Sequence, residues 1–377
     1  MNDTKKDLIY LLACAANSLP ADAAKVSAMD TDSLYALAKS QSLRAAVYFP
    51  LEQAGAADER FVQAYNKSVR KIIILDSERK AISAELEARG IWHMPLKGAI
   101  LKELYPSMGM REMADNDIIY DPTRQDEVRE IMLSRGYKAQ SVGESHQDVY
   151  LKPPVLNFEM HTSLFEYGPE QKLYTYYEDV RRLMKPDEDS SFGFHLSDED
   201  FYVYMTAHEY KHYNEGGTGI RSLLDCYIFM KEKEHSLDLG YVSDQLEQLG
   251  IADFEQARLR LAKKLFSSQE TADMTDTEAE MLEVYLDNGT YGTAQKAAEN
   301  KMKKYLESSE TGSKSGFLLK RLFPDTDFMK HHYPILQKHI ILLPAVHVWR
   351  WIRGVKKNRK KLGAEVKALK EHDNKKL

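Results

Sequence analysis

Three acidic residues in the middle of the chain have the types and spacing to hold a divalent metal. Asp115 and Asp117 lie in "ADNDIIYD", and Glu159 lies in "VLNFEMHTSLF". In a strand, residues two apart project to the same face, so Asp115 and Asp117 stand side by side at the start of an apolar run that can anchor them. Two adjacent carboxylates repel unless a cation lies between them. Hard Mg²⁺, or Mn²⁺ in its place, prefers carboxylate oxygens and bridges to substrate phosphates. In the second run Leu156, Phe158 and Met160 share one face, while Asn157, Glu159 and His161 share the other. If the two runs pair as neighbouring strands, Glu159 supplies a third carboxylate, and such a set can hold two metals roughly 4 Å apart for in-line phosphoryl transfer. A D-x-D taken alone is more commonly a turn or a solvated strand end, so the joint occurrence carries the reading. His161 is expected to orient the neighbours of Glu159 or contact substrate, or to be a satisfied structural histidine.

A competing chemistry is written in "HEYKH". His208 and His212 stand one helical turn apart with Glu209 between them, the H-E-x-x-H pattern of a zinc peptidase. The extended form of that pattern places a Gly three and a His six residues after the second histidine, where this chain has Glu215 and Thr218. A catalytic zinc needs three protein ligands and an open fourth position. Beyond the two histidines only Glu232 or Glu234 offers a third, so the metallopeptidase stands as an alternative.

Three kinds of segment must position these groups. Residues 5 to 90 read as helical, with Ile72, Ile73, Leu75, Ile82 and Leu86 as an apolar stripe and breaks near Pro20 and Pro50. From about 91 to 165, short extended runs alternate with Gly and Pro, and a helix is predicted over "TRQDEVREIMLSRG", with Thr123 as N-cap and Gly136 as its stop. From 197 the chain is helical again. Ser197 and Asp200 form a capping-box pattern, and Phe201, Met205, His208 and His212 fall along one stripe.

Several of these motifs together resemble a known family. "PLKGAILKELYP", "MREMADNDIIYD", "SRGYKA" and "NFEMHTSLF" carry Leu96-Lys97-Gly98, Tyr105-Pro106, Arg111, the paired aspartates, Gly136-Tyr137, Glu159 and His161. This set is similar to a bacterial family of uncharacterised nucleotidyltransferases, relatives of the polymerase-β-like superfamily. "AHEYKH", "IRSLLD", "YPILQKHIILLP" and "WRWIR" extend the likeness over most of the chain.

The resemblance implies an α+β fold, a small mixed sheet flanked by helices. It also implies metal on Asp115, Asp117 and Glu159, and triphosphate near the Lys97-Gly98 turn. The wider superfamily usually has Gly-Ser at that turn. Here a lysine stands in place of the hydroxyl, and backbone N–H groups at the start of the following helix favour anions. Arg111 either clamps a phosphate or pairs with Asp115. His208 and His212 line the cleft, with Arg221 and Asp225 as an i,i+4 pair on the next helix.

Composition fits this reading. The chain has 377 residues, 43% of them apolar, and a net charge of -6. Two cysteines, Cys14 and Cys226, argue against a disulfide framework and fit a reducing cytoplasm. The basic, apolar start reads as an amphipathic helix and not a signal peptide, and no run approaches the roughly 18 to 20 apolar residues of a membrane span. Residues 350–377 hold 11 Lys and Arg against 3 Asp and Glu, a basic tail on an acidic body. That body offers no footprint for long nucleic acids. An acidic membrane surface, RNA or an acidic protein could meet the tail, though terminal helices often end in solvated lysines. The expected organisation is a helical region (1–70), a nucleotidyltransferase-like domain (71–185) and a helical domain with the tail (186–377). The expected activity moves NMP from an NTP to an unidentified acceptor hydroxyl, with pyrophosphate released. A non-catalytic binding protein on the same fold is the other alternative.

Overall fold

The computed structural model describes residues 1–143, 145–168, 170–270 and 273–289, isolated positions 300, 316 and 319, and residues 322–333 and 335–357. The basic tail beyond 357 lies outside the described residues.

Five helices open the chain: α1 (Asp3–Ala16), α2 (Ala23–Ser27), α3 (Thr31–Ser40), α4 (Arg44–Gln53) and α5 (Glu59–Ala88). The last is the backbone of the molecule. It starts at Asp58, whose side chain accepts from the Arg60 N–H, and buries Phe61, Ala64, Ser68, Ile72, Leu75, Ile82 and Leu86 at helical spacing. Ile73 faces solvent instead of joining that stripe. Pro50 does not break α4, which continues through it to Gln53. Helix α5 also runs without interruption across residue 70.

The mixed sheet follows. It contains β1 (His93–Pro95), β2 (Asn116–Tyr120), β3 (Lys138–Ser141), β4 (Gln147–Lys152) and β5 (Leu156–His161) in the order β1-β2-β5-β4-β3. Only β2 and β5 pair in parallel, with Asp117 opposite Glu159 and Ile119 opposite His161. The short helix α6 (Gly98–Leu101) follows β1, and α7 (Gln125–Ser134) crosses from β2 toward β3. The cap before α7 is Asp121 and not Thr123: its carboxylate accepts from the Thr123 N–H at 3.0 Å, because a 3-10 turn precedes the helix. Gly136 ends the helix as expected, at φ +81, a backbone conformation open to glycine.

One face of the sheet, with Ile118, Tyr120, Phe158 and Met160, packs on the α5 stripe and on Val128, Ile131 and Met132 of α7. The other face turns toward the helical part. There α8 (Gln171–Tyr177) and the hairpin β6 (Met184–Pro186) and β7 (Phe194–Leu196) lead to α9 (Asp198–Glu215), α10 (Ile220–Lys233), α11 (Leu239–Leu249), α12 (Ala252–Phe266) and α13 (Asp276–Asn288). Helices α14 (Thr326–His332), α15 (Ile335–Lys338) and α16 (Leu343–Lys357) come last. Ser197 caps α9 by accepting from the Asp200 N–H at 3.2 Å. The helices share one large core with Met94, Leu96 and Ile119 of the sheet. Strand β2 is thus covered on both faces, which is why "NDIIY" is buried throughout instead of alternating. The fold is α+β, with a small mixed sheet set among helices.

Among the described residues, no helix is long and apolar enough to cross a membrane.

Candidate active site

Between the sheet and helices α9 and α10 lies a cleft of about 390 Å³, and it is lined by every residue expected at the transferase site, while Glu232 and Glu234 do not line it. Its floor is the β2–β5 pair. The parallel register brings Asp117 and Glu159 together, and His161, two residues on, closes the group. Ligand atoms of these three side chains all lie within 4.8 Å of one another. Asp115, one residue before β2, faces the same cleft but stands outside that compact trio.

Hydrogen bonds hold the trio in place. His161 Nε2 is 2.8 Å from Asp117 Oδ1, and Gln147 of β4 donates to Glu159 Oε2 at 2.6 Å. Lys97 Nζ lies 3.7 Å from Asp117 Oδ2. The turn that carries this lysine starts beside the aspartate, because the Leu96 N–H donates to the Asp117 carbonyl at 2.9 Å. Lys97 itself sits at φ +41 and ψ -106, a region that side chains other than hydrogen avoid. Gly98 is closely packed: a Cβ there would come 2.7 Å from Met113 Cε and 2.9 Å from an Arg111 nitrogen, so those side-chain ends would have to shift. Helix α6 spans only four residues, so its dipole gives little of the anion attraction expected from a helix start.

Burial and mutual charge separate the acids. Burial opposes ionisation of Asp117, but Lys97 and the His161 hydrogen bond outweigh it and hold its carboxyl well below the usual range. Asp115 is pushed up by burial and by the charge of Asp117. Glu159 is pushed up to about 7, by burial and then by both aspartates. Lys97 is held above the ordinary lysine range, because Asp117 overcomes its burial. Such a cluster favours a cation. Its donors, oxygens with one imidazole, suit Mg²⁺ or Mn²⁺, so the residues present fit the metal.

The opposite wall is α9, and there the two histidines turn toward the cleft as their stripe predicts. Their Nε2 atoms are 3.1 Å apart. Burial, then the charge of Lys97, drives His212 down to about 3 and His208 well below the usual histidine value, so both are neutral. The zinc-peptidase reading fails on geometry. Glu209, its would-be base, accepts from Arg258 at 2.7 Å and from Tyr285 at 2.6 Å in the helical core. Among the described residues, no third ligand joins the two histidines.

Arg111 and Asp225 pair with each other, and this corrects two expectations. Arg111 does not pair with Asp115: its Nε and one terminal nitrogen donate to the two oxygens of Asp225 at 2.8 and 2.9 Å. Arg221 therefore has no i,i+4 partner in Asp225, and donates to the Glu112 carbonyl at 3.1 Å. His146 and Gln147 also line the cleft, and sequence reading overlooked both. The available signal was β4, whose Gln147 pairs in register with His161. Burial lowers the His146 pKa to about 3.

The profile of a family described as uncharacterised nucleotidyltransferases matches residues 27–267. The chain belongs to that family. The match takes in α3 through α12, and so the sheet, the cleft and both of its walls. Comparison with curated proteins and with solved structures yields no match.

Proposed function

We propose that the protein transfers a nucleoside monophosphate from an NTP to an acceptor hydroxyl. A bond forms between the acceptor oxygen and the α-phosphorus, the bond to the bridging oxygen breaks, and pyrophosphate leaves. The observation that carries this reading is the parallel β2–β5 register, which sets Asp117 against Glu159 with Asp115 and His161 at their flanks. A Mg²⁺ or Mn²⁺ held by Asp115, Asp117 and Glu159 would neutralise the triphosphate and lower the pKa of the acceptor hydroxyl.

The remaining roles belong to the chain itself. Lys97 places a fixed positive charge beside the carboxylates, and Gly98 leaves room for Arg111 and Met113 behind the phosphate turn. Glu159, which burial and the charges of both aspartates push up in the metal-free cluster, would be held as a carboxylate by the metal and completes its ligand set. His161 orients Asp117. The neutral His208 and His212 offer uncharged hydrogen-bonding groups to a substrate from the α9 wall. Arg111 acts as a positioning residue, since Asp225 engages both prongs of its guanidinium.

The test is calorimetric titration of each NTP with Mg²⁺ into metal-stripped protein, repeated with Asp115→Asn/Asp117→Asn. Binding that needs both Mg²⁺ and the aspartates supports the reading. Absence of binding for all NTPs overturns it.

A further inference from the structure

A second cavity of about 230 Å³ lies against the outer side of segment 111–115, and shares Ala114 and Arg221 with the cleft. Its walls come from four places in the chain: Ser42 and Arg44 at the start of α4, Lys67 and Lys71 one turn apart on α5, Glu112 in the segment before β2, and Arg221 on α10. Four cations line it with one carboxylate, and the charge of Asp115 in the cleft also reaches Lys71. Glu112 is occupied, since it accepts from Arg44 at 2.6 Å and from the Ala45 N–H at 3.2 Å. Among the described residues, Lys71 and Arg221 donate only to the carbonyls of Ala114 and Glu112, at 2.8 and 3.1 Å. Among the described residues, neither of them nor Lys67 forms an ion pair with a carboxylate. The Arg44 Nε is a buried donor without an acceptor.

This arrangement is electrostatically incomplete. Gathering like charges around a small space costs free energy unless an anion enters, and guanidinium and ammonium groups together suit the several oxygens of a phosphate. Burial lowers the Lys71 pKa and outweighs the charges of Asp115 and Glu112, which raise it, while the charge of Lys67 lowers it further, so a bound anion would stabilise its charged form. Ligand pockets usually enclose at least roughly 300 Å³, so this cavity suits a headgroup and not a whole nucleotide. Its place also separates it from the triphosphate turn: Lys97, Gly98 and Asp115 line the cleft and not this cavity, while Ala114 and Arg221 line both.

We propose that the Arg44, Lys67, Lys71 and Arg221 cavity binds a phosphate group carried by the acceptor, so that the second substrate is a phosphorylated hydroxyl compound. This rests on the transferase reading of the neighbouring cleft. Held there, the phosphate would anchor one end of the acceptor while its hydroxyl reaches past Ala114 toward the carboxylates.

The experiment is calorimetric titration of inorganic phosphate into the full chain and into Lys67→Gln/Lys71→Gln, with Mg²⁺ and each NTP titrated in parallel. Lys67 and Lys71 flank the cavity on the surface of α5, outside the proposed catalytic group. Losing two charge-assisted contacts should weaken phosphate binding by at least about tenfold and leave NTP affinity unchanged. Equal phosphate affinity in both proteins, or no phosphate binding by the wild type, overturns the proposal. Parallel loss of NTP affinity in the variant also overturns it, because the cavity would then serve the triphosphate. If NTP binding fails in both proteins while phosphate binding still depends on the two lysines, the transferase reading falls, and with it the acceptor role, while the anion site stands.

Discussion

Arg111 and Asp225 meet in a two-pronged ion pair that ties the segment before β2 to helix α10, with 8% of each side chain exposed. Tyr105 adds a third bond, donating to the same carboxylate at 2.7 Å. The pair joins the carboxylate floor of the cleft to its helical wall. Removing one partner strands the other as a buried, uncompensated charge, at a cost of about 3–5 kcal/mol. Arg111→Met and Asp225→Leu should each destabilise the protein by about that amount, and the double variant should recover most of it. Urea denaturation of the four proteins checks this. Additive losses in the double variant would show that the two residues act independently.

Glu159 gives the metal-free protein one pH-dependent stability contribution whose sign is fixed by its raised pKa. Its folded pKa of about 7 lies above the usual glutamate value of 4.5. Between those values the folded state holds a proton that the unfolded chain has released, so metal-free stability falls as pH rises through that window. The loss is on the order of 1–3 kcal/mol and complete above about pH 7. Asp117, whose pKa is lowered, acts in the opposite sense below the usual aspartate range, and the buried His146, His208 and His212, whose pKa values are also lowered, act in the opposite sense up to the usual histidine value. Urea titrations in chelator at pH 5 and pH 8 measure the difference. Glu159→Gln should remove only this contribution, so the variant should gain on the order of 1–3 kcal/mol relative to wild type between pH 5 and pH 8, and no relative gain would mean that Glu159 does not carry it.

Much of the cleft was legible because its signals are local. The alternation of "NFEMH" marks which side of β5 is buried, and the spacing of His208 and His212 places both on one side of α9, as found. Partner choice was not legible. The i,i+4 spacing of Arg221 and Asp225 suggested a pair, but Asp225 is bonded to a residue 114 positions away, and sequence spacing says nothing of such a competitor. The same holds for Glu209, which reads as a catalytic base within five letters and is neutralised by Arg258, 49 residues later. Pro50 misled for another reason: proline disfavours a helix interior, yet this one is buried in the core-facing side of α4, where packing overrides propensity.

Glu209 gives a prediction that separates a structural from a catalytic role. Arg258 has 0% of its side chain exposed and depends on Glu209 for its counter-charge. Glu209→Gln should therefore cost about 3–5 kcal/mol of stability, seen as a large fall in the urea midpoint. The purified wild type should carry no stoichiometric zinc, by elemental analysis, that His208→Ala removes. A stable Glu209→Gln protein that had lost a zinc-dependent activity would restore the peptidase reading.

Lys97 combines a backbone cost with a charge that the site needs, and substitution can separate the two. A residue with a side chain at its φ of +41 carries strain on the order of 1–3 kcal/mol, which glycine largely avoids. Lys97→Ala and Lys97→Gly both remove the ammonium 3.7 Å from Asp117, so the charge effect cancels between them. Glycine normally costs stability through its greater freedom in the unfolded chain. Here the glycine variant should be the more stable of the two, by about 1 kcal/mol in urea denaturation. Both variants should bind NTP at least about tenfold more weakly than wild type, because a charge-assisted contact is lost. An alanine variant as stable as the glycine variant would show that the turn relaxes at no cost. Full NTP affinity in both would remove Lys97 from the phosphate site.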